Sequence, residues 1–144
     1  MKQQKARNTL LTLLIPVLIF LYIFFGGSVG ISLDFGEDAL TVSAEKQDWS
    51  IPYAQIVSLE LTNAADFGTL LNGSENRTLH YGTYENDSWG RYTLCIDPRI
   101  ESCITIETDG GFFVLNYENE ESTHQLYTMF TELLASKTDT TPAP

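Results

Sequence analysis

The run TLLTLLIPVLIFLYIFF, which starts at Thr9 and ends at Phe25, constrains this chain more than any other stretch. It carries no charge and no strongly polar group. As a helix its seventeen residues rise about 26 Å, against a hydrocarbon core of about 30 Å. Gly26, Gly27, Ser28 and Val29 cost little to bury and bring the length to about 31 Å, so residues 9–29 can span a bilayer. Pro16 lies inside the run, and membrane helices tolerate proline where neighbours satisfy the freed carbonyl. Tyr22, Phe24 and Phe25 sit near one end, where aromatic rings favour the interface.

The flanks are asymmetric. Lys2, Lys5 and Arg7 precede the run with no acid among them, and the first charges after it are Asp34, Glu37 and Asp38. The positive-inside rule then makes residues 1–8 a cytoplasmic stub and places residues 30–144 outside the cytoplasm. A cleaved signal peptide is the rival reading, since small residues follow the apolar run. The run is long for a signal and lacks an Ala-x-Ala site, so an uncleaved single-pass anchor is expected. Both readings export the remainder.

All 19 acids follow the anchor, where they face 5 bases, for a formal charge of −14. That field repels phosphoinositides, other anionic lipids and nucleic acids, and argues against the phosphate-binding classes. About 115 residues remain outside, enough for one domain with one core. Residues 26–30 form its flexible joint to the anchor.

Period-two alternation marks strands at residues 31–35, 40–44, 49–53 and 56–62, the last with Val57, Leu59 and Leu61 on one face. A single turn is expected at Ala54 and Gln55. From Asn63 to Ser88 the alternation fades into Asn, Gly, Ser and Thr, with a short strand expected near residues 78–81. It returns at Trp89 with Tyr92, Leu94 and Ile96, then at residues 103–108 and 112–115, joined by Asp109-Gly110-Gly111. Thr123 can cap a helix that carries Leu126, Tyr127, Phe130, Leu133 and Leu134 at helical spacing and fades by Ser136. Residues 137–144 have nothing to bury and read as a disordered tail. The expected fold of residues 30–136 is mainly β, with about seven antiparallel strands and one capping helix.

Seven strands followed by one helix is the plan of the pleckstrin-homology (PH) superfold. The phrase Ile51-Pro52-Tyr53-Ala54-Gln55-Ile56-Val57-Ser58-Leu59 resembles the linker between early strands of small bacterial PH-like proteins. Gly90-Arg91-Tyr92 and the segment Ile104-Thr105-Ile106-Glu107-Thr108-Asp109-Gly110-Gly111-Phe112-Phe113-Val114-Leu115-Asn116 resemble their later strands, which end in asparagine and lead through a threonine into the helix. The resemblance covers residues 31–135 and rests on structural motifs. It implies a PH-like barrel or sandwich, often membrane-tethered, and no substrate. The two cysteines and the strong acidity are not features of that group.

Cys95 and Cys103 flank a turn centred near Arg99, and in a symmetric hairpin they would lie opposite each other on adjacent strands. A structural disulfide is therefore expected, worth about 2–3 kcal/mol, with free thiols as the alternative. No metal site is expected: two cysteines without a histidine cluster do not hold zinc, and Asp34, Glu37 and Asp38 are not spaced as a calcium loop. His80 and His124 fall in no ligand spacing, and Glu118, Glu120 and Glu121 read as a helix start. No nucleophile elbow or phosphate loop is present, so neither a cofactor nor catalysis is expected. Asn72, Asn76 and Asn86 match the glycosylation pattern, a match that is cheap in a stretch rich in Asn, Ser and Thr and without meaning if the source is bacterial, as the resemblance implies. The stretch 63–89 holds Phe67, Tyr81, Tyr84 and Trp89 among polar residues, either as satellite core or as anchors of a contact loop. The leading expectation is an anchored interaction module for an envelope protein. The alternative is a small cell-surface hydrolase or carbohydrate-binding protein that uses the acids and aromatic residues of that stretch.

Overall fold

The computed structural model describes residues 30–63 and 66–139, together with Pro16. Apart from Pro16, the expected stub and anchor lie outside the described residues, as do residues 140–144 of the expected tail. No helix among the described residues is long and apolar enough to cross a membrane.

The first three strands follow their alternation. β1 (Ile31–Phe35), β2 (Ala39–Ala44) and β3 (Gln47–Pro52) form an antiparallel meander, with Leu33 opposite Val42 and Val42 opposite Trp49. Its inner face buries Leu33, Leu40, Val42 and Ile51. A single 3-10 turn, Tyr53–Gln55, then leads the chain into the second sheet. The Tyr53 hydroxyl donates to the Gly36 carbonyl at 2.8 Å and ties that turn to the loop between β1 and β2.

The second sheet has six strands: β4 (Ile56–Asn63), β5 (Thr69–Glu75), β6 (His80–Asn86), β7 (Gly90–Ile96), β8 (Ser102–Thr108) and β9 (Gly111–Leu115). Their order across the sheet is β4-β8-β9-β7-β6-β5. Among the described residues nine strands thus stand where about seven were expected. β5, in a stretch where no strand was expected, carries almost no apolar periodicity, because backbone pairing with β6 rather than core burial holds it. Within that pair Gly73 faces Gly82, and the two backbones approach so closely that a Cβ on Gly82 would lie 2.1 Å from the Asn72 carbonyl oxygen. Gly82 also adopts φ +134°, which strains any other residue.

The expected hairpin between β7 and β8 does not form. β9 lies between them, parallel to β7 and antiparallel to β8. The disulfide expected between Cys95 and Cys103 fails for the same reason: both thiols are free and buried. Two strand spacings put their backbones about 10 Å apart, beyond the ~7 Å reach of a bridge. Cys95 also packs with Ile104 and Leu115 on one face, while Cys103 packs with Leu94 and Val114 on the other.

The segment between β7 and β8 must therefore pass the end of β9, and Asn116, the next residue, pins it there. Its Oδ1 accepts the Asp97 N–H at 2.7 Å, and its Nδ2 donates to the carbonyls of Asp97 at 3.0 Å and Ile100 at 3.5 Å. The strand-ending asparagine is fully buried.

The helix α1 (Glu120–Asp139) starts earlier and ends later than expected. Its N-cap is Asn119, whose Oδ1 accepts the Ser122 N–H at 2.8 Å. Thr123 lies inside the helix, where its buried hydroxyl accepts the Tyr117 N–H at 3.1 Å. At the other end Lys137 donates to the Glu37 carbonyl at 2.6 Å and sits 5.0 Å from the centre of the Tyr53 ring. That anchorage extends the helix past Ser136 into the expected tail. Leu126 and Phe130 enter the main core, where Phe130 meets Phe35 and Tyr53 edge-on at 5.5 and 6.4 Å.

Candidate functional site

The four aromatic residues read either as satellite core or as a contact loop do not form one surface. Tyr81 and Tyr84 are 8% and 1% exposed, and both are core. Tyr81 packs edge-on against Trp49 at 6.2 Å and donates to the Glu45 carboxylate at 2.9 Å. On the opposite face of the sheet, Tyr84 donates to Glu75 at 2.9 Å. Burial first, then that hydrogen bond, holds its hydroxyl far above the ordinary tyrosine value. Trp89 is half-buried between Tyr92 and Phe112, at 5.0 and 5.5 Å. Phe67 packs on the same cluster, and its carbonyl accepts the Tyr92 hydroxyl at 2.6 Å. The satellite-core alternative describes these residues, because β5 and β6 draw the stretch into the sheet.

A catalytic reading would begin at Ser102, whose Oγ lies 3.0 Å from Nε2 of His124. Among the described residues no carboxylate is hydrogen-bonded to the His124 ring to complete that pair. Glu120 instead accepts the backbone N–H groups of Glu101 and Ser102, and Ser102 is itself buried. The group is a clasp that fixes the start of α1 to the entry of β8. The Ser102 hydroxyl, with the Ser102 and Glu101 amides, holds the Glu120 carboxyl below its ordinary 4.5. Hydrogen bonds from Arg99 hold Asp97, at the other end of the crossing segment, below its ordinary 3.8. A depressed carboxyl contributes stability above its unfolded value and loses it as the pH falls through the folded one. Unfolding temperatures will therefore fall on acidification below about 4.5, and amide exchange at Glu101 and Ser102 will rise relative to intrinsic rates. Glu120→Gln will flatten that acid limb; an unchanged limb would remove Glu120 from the clasp.

The open site lies at the other end of α1. A groove of about 810 Å³ runs between α1, the 3-10 turn and the first half of β4. Tyr53, Val57, Leu59, Tyr127 and Leu134 give it apolar walls, and Glu37, Asp38 and Lys137 close one end. β4 is an edge strand, so among the described residues no strand pairs with its outer side. Ile56 pairs with Thr108 and Ser58 with Glu107, which makes Val57 the extra residue of a bulge. The bulge reverses the phase expected from sequence. Leu59 and Leu61 pack inward, while Val57 turns out and is 65% exposed.

The far edge repeats the device. Leu70 pairs with Tyr84 and Asn72 with Thr83, leaving Leu71 as the bulged residue of β5. Val57 and Leu71 are the two exposed large apolar side chains among the described residues. Bulges limit edge-to-edge aggregation, and at the β4 edge a groove lies beside the bulge.

At the groove floor the Tyr53 hydroxyl is pushed up to about 12, by burial first and then by Asp34 and Asp38. No group of three or more candidate metal ligands occurs among the described residues. Sequence reasoning missed this groove because its parts come from β4, the β1–β2 loop and the helix end. The one available signal was the apolar Ile56-Val57 pair, which breaks the alternation. No family model, no curated protein and no solved structure matches this chain.

Proposed function

We propose that this chain is a single-pass, membrane-anchored interaction domain that faces outside the cytoplasm and docks an extended segment of an envelope protein along β4. The observation that carries the reading is the unpaired β4 edge beside an apolar groove. An added strand gains main-chain hydrogen bonds from such an edge and side-chain selectivity from such a groove. The apolar run with bases on one flank and acids on the other supports the anchor and its orientation. A PH-like assignment is supported by the 3-10 turn at Tyr53–Gln55, the strand ending at Asn116 and the terminal helix; the parallel β7·β9 pair departs from a simple meander. The role is binding without catalysis.

One experiment tests location and surface together. Val57→Cys and Leu71→Cys are made in the full chain and treated in intact cells with a membrane-impermeant maleimide that carries a photo-crosslinker. Burial raises the native thiols to about 12 for Cys95 and about 11 for Cys103, so both stay silent. Both introduced thiols will label without lysis, and only Val57→Cys will give a covalent adduct with an envelope protein. Labelling that requires lysis would refute the location. Equal adducts from the two edges, or none, would refute the docking edge.

A further inference from the structure

We infer that the segment docked on β4 is cationic, with a Lys or Arg side chain at the groove end formed by Glu37 and Asp38. The inference rests on the strand-docking reading and adds the chemistry and placement of the occupant. Three observations carry it.

First, the last described turn of α1 lies beside this part of the groove, so the negative pole of the helix is directed toward it. Second, Glu37 and Asp38 line the same end and are exposed. Their carboxylates take no hydrogen bond or ion pair among the described residues. Third, Lys137, the one base lining the groove, is engaged by the Glu37 carbonyl and the Tyr53 ring. The groove therefore runs from an apolar middle at Val57, Tyr127 and Leu134 to an acidic end that a partner's base would complement.

The register follows from the bulge. β4 is regular from Leu59 to Asn63, and an added strand pairs there. Past Val57 its chain leaves the ladder and reaches Glu37 and Asp38. A second copy of this chain fits poorly, since each outer part carries a formal −14 and like fields repel.

The test uses the full chain in lipid nanodiscs and two peptide probes. Each is a short alternating Val-Thr segment with a diazirine leucine at its centre, and one has Arg at both ends where the other has Glu. After irradiation, adducts are mapped by mass spectrometry. The Arg probe will label β4 and the second half of α1 about fivefold more than the Glu probe, and the preference will shrink at high salt. In the double variant Glu37→Lys, Asp38→Lys the preference will reverse. Equal labelling of the groove by both probes, or a preference untouched by the double variant, would overturn the cationic occupant and leave strand docking standing. Adducts scattered outside the groove would overturn both.

Discussion

Asn116→Leu will lower the stability of the domain by about 3–5 kcal/mol, measured by equilibrium chemical unfolding of the full chain. The replacement nearly preserves volume, so the loss is one of hydrogen bonding. It strands the Asp97 N–H and the carbonyls of Asp97 and Ile100, which Asn116 serves at 2.7, 3.0 and 3.5 Å. Each buried group left unpaired costs about 1–3 kcal/mol. Water cannot readily replace the side chain, because Asn116 has no exposed surface. Amide exchange at Asp97 will accelerate well before global unfolding, as the crossing segment loses its pin. A loss below about 1 kcal/mol would mean that the segment is held chiefly by Glu120 and Arg99 instead.

Phe130→Ala will cost about 3–5 kcal/mol by the same assay. Phe130 is 1% exposed and bridges Phe35 of the first sheet and Tyr53 of the joining turn. Removing the ring leaves a cavity where two sheets and a helix meet, and close-packed surroundings collapse into such a space only partly. Glu132→Ala, on the exposed face of the same helix, will change stability by no more than about 0.5 kcal/mol. Similar losses at both positions would show that α1 is held by its helical propensity rather than by its buried stripe. Phe130→Ala will also reduce adduct formation from Val57→Cys, since the helix forms one wall of the groove.

Much of the local structure was legible. The alternation of Ile31, Leu33, Leu40 and Val42 marked the buried face of the first two strands, and all four are core. The helical spacing of Leu126 and Phe130 marked the buried stripe of α1. The strand end at Asn116 was also legible, though its purpose was not. The candidate site was far less so. For Tyr81, Tyr84 and Trp89 the sequence left satellite core and contact loop both open, because β5, polar and held by backbone pairing, left no periodic trace. Val57 looked like a core residue because a bulge, which shifts phase by one residue, is invisible to a period-two count.

By itself the sequence determined the class of fold, most strand and helix positions, and the acidity of everything after residue 29. These follow from composition and from short periods along the chain, which depend on neighbours only a few residues away. Tertiary structure alone decided which strands pair. Alternation states that a strand has an inner face and is silent about what lies beside it. β9 entered between β7 and β8, placed Cys95 and Cys103 on opposite faces and forced the crossing that Asn116 pins. The same non-local choices left β4 at an edge beside the end of α1, and so created the groove.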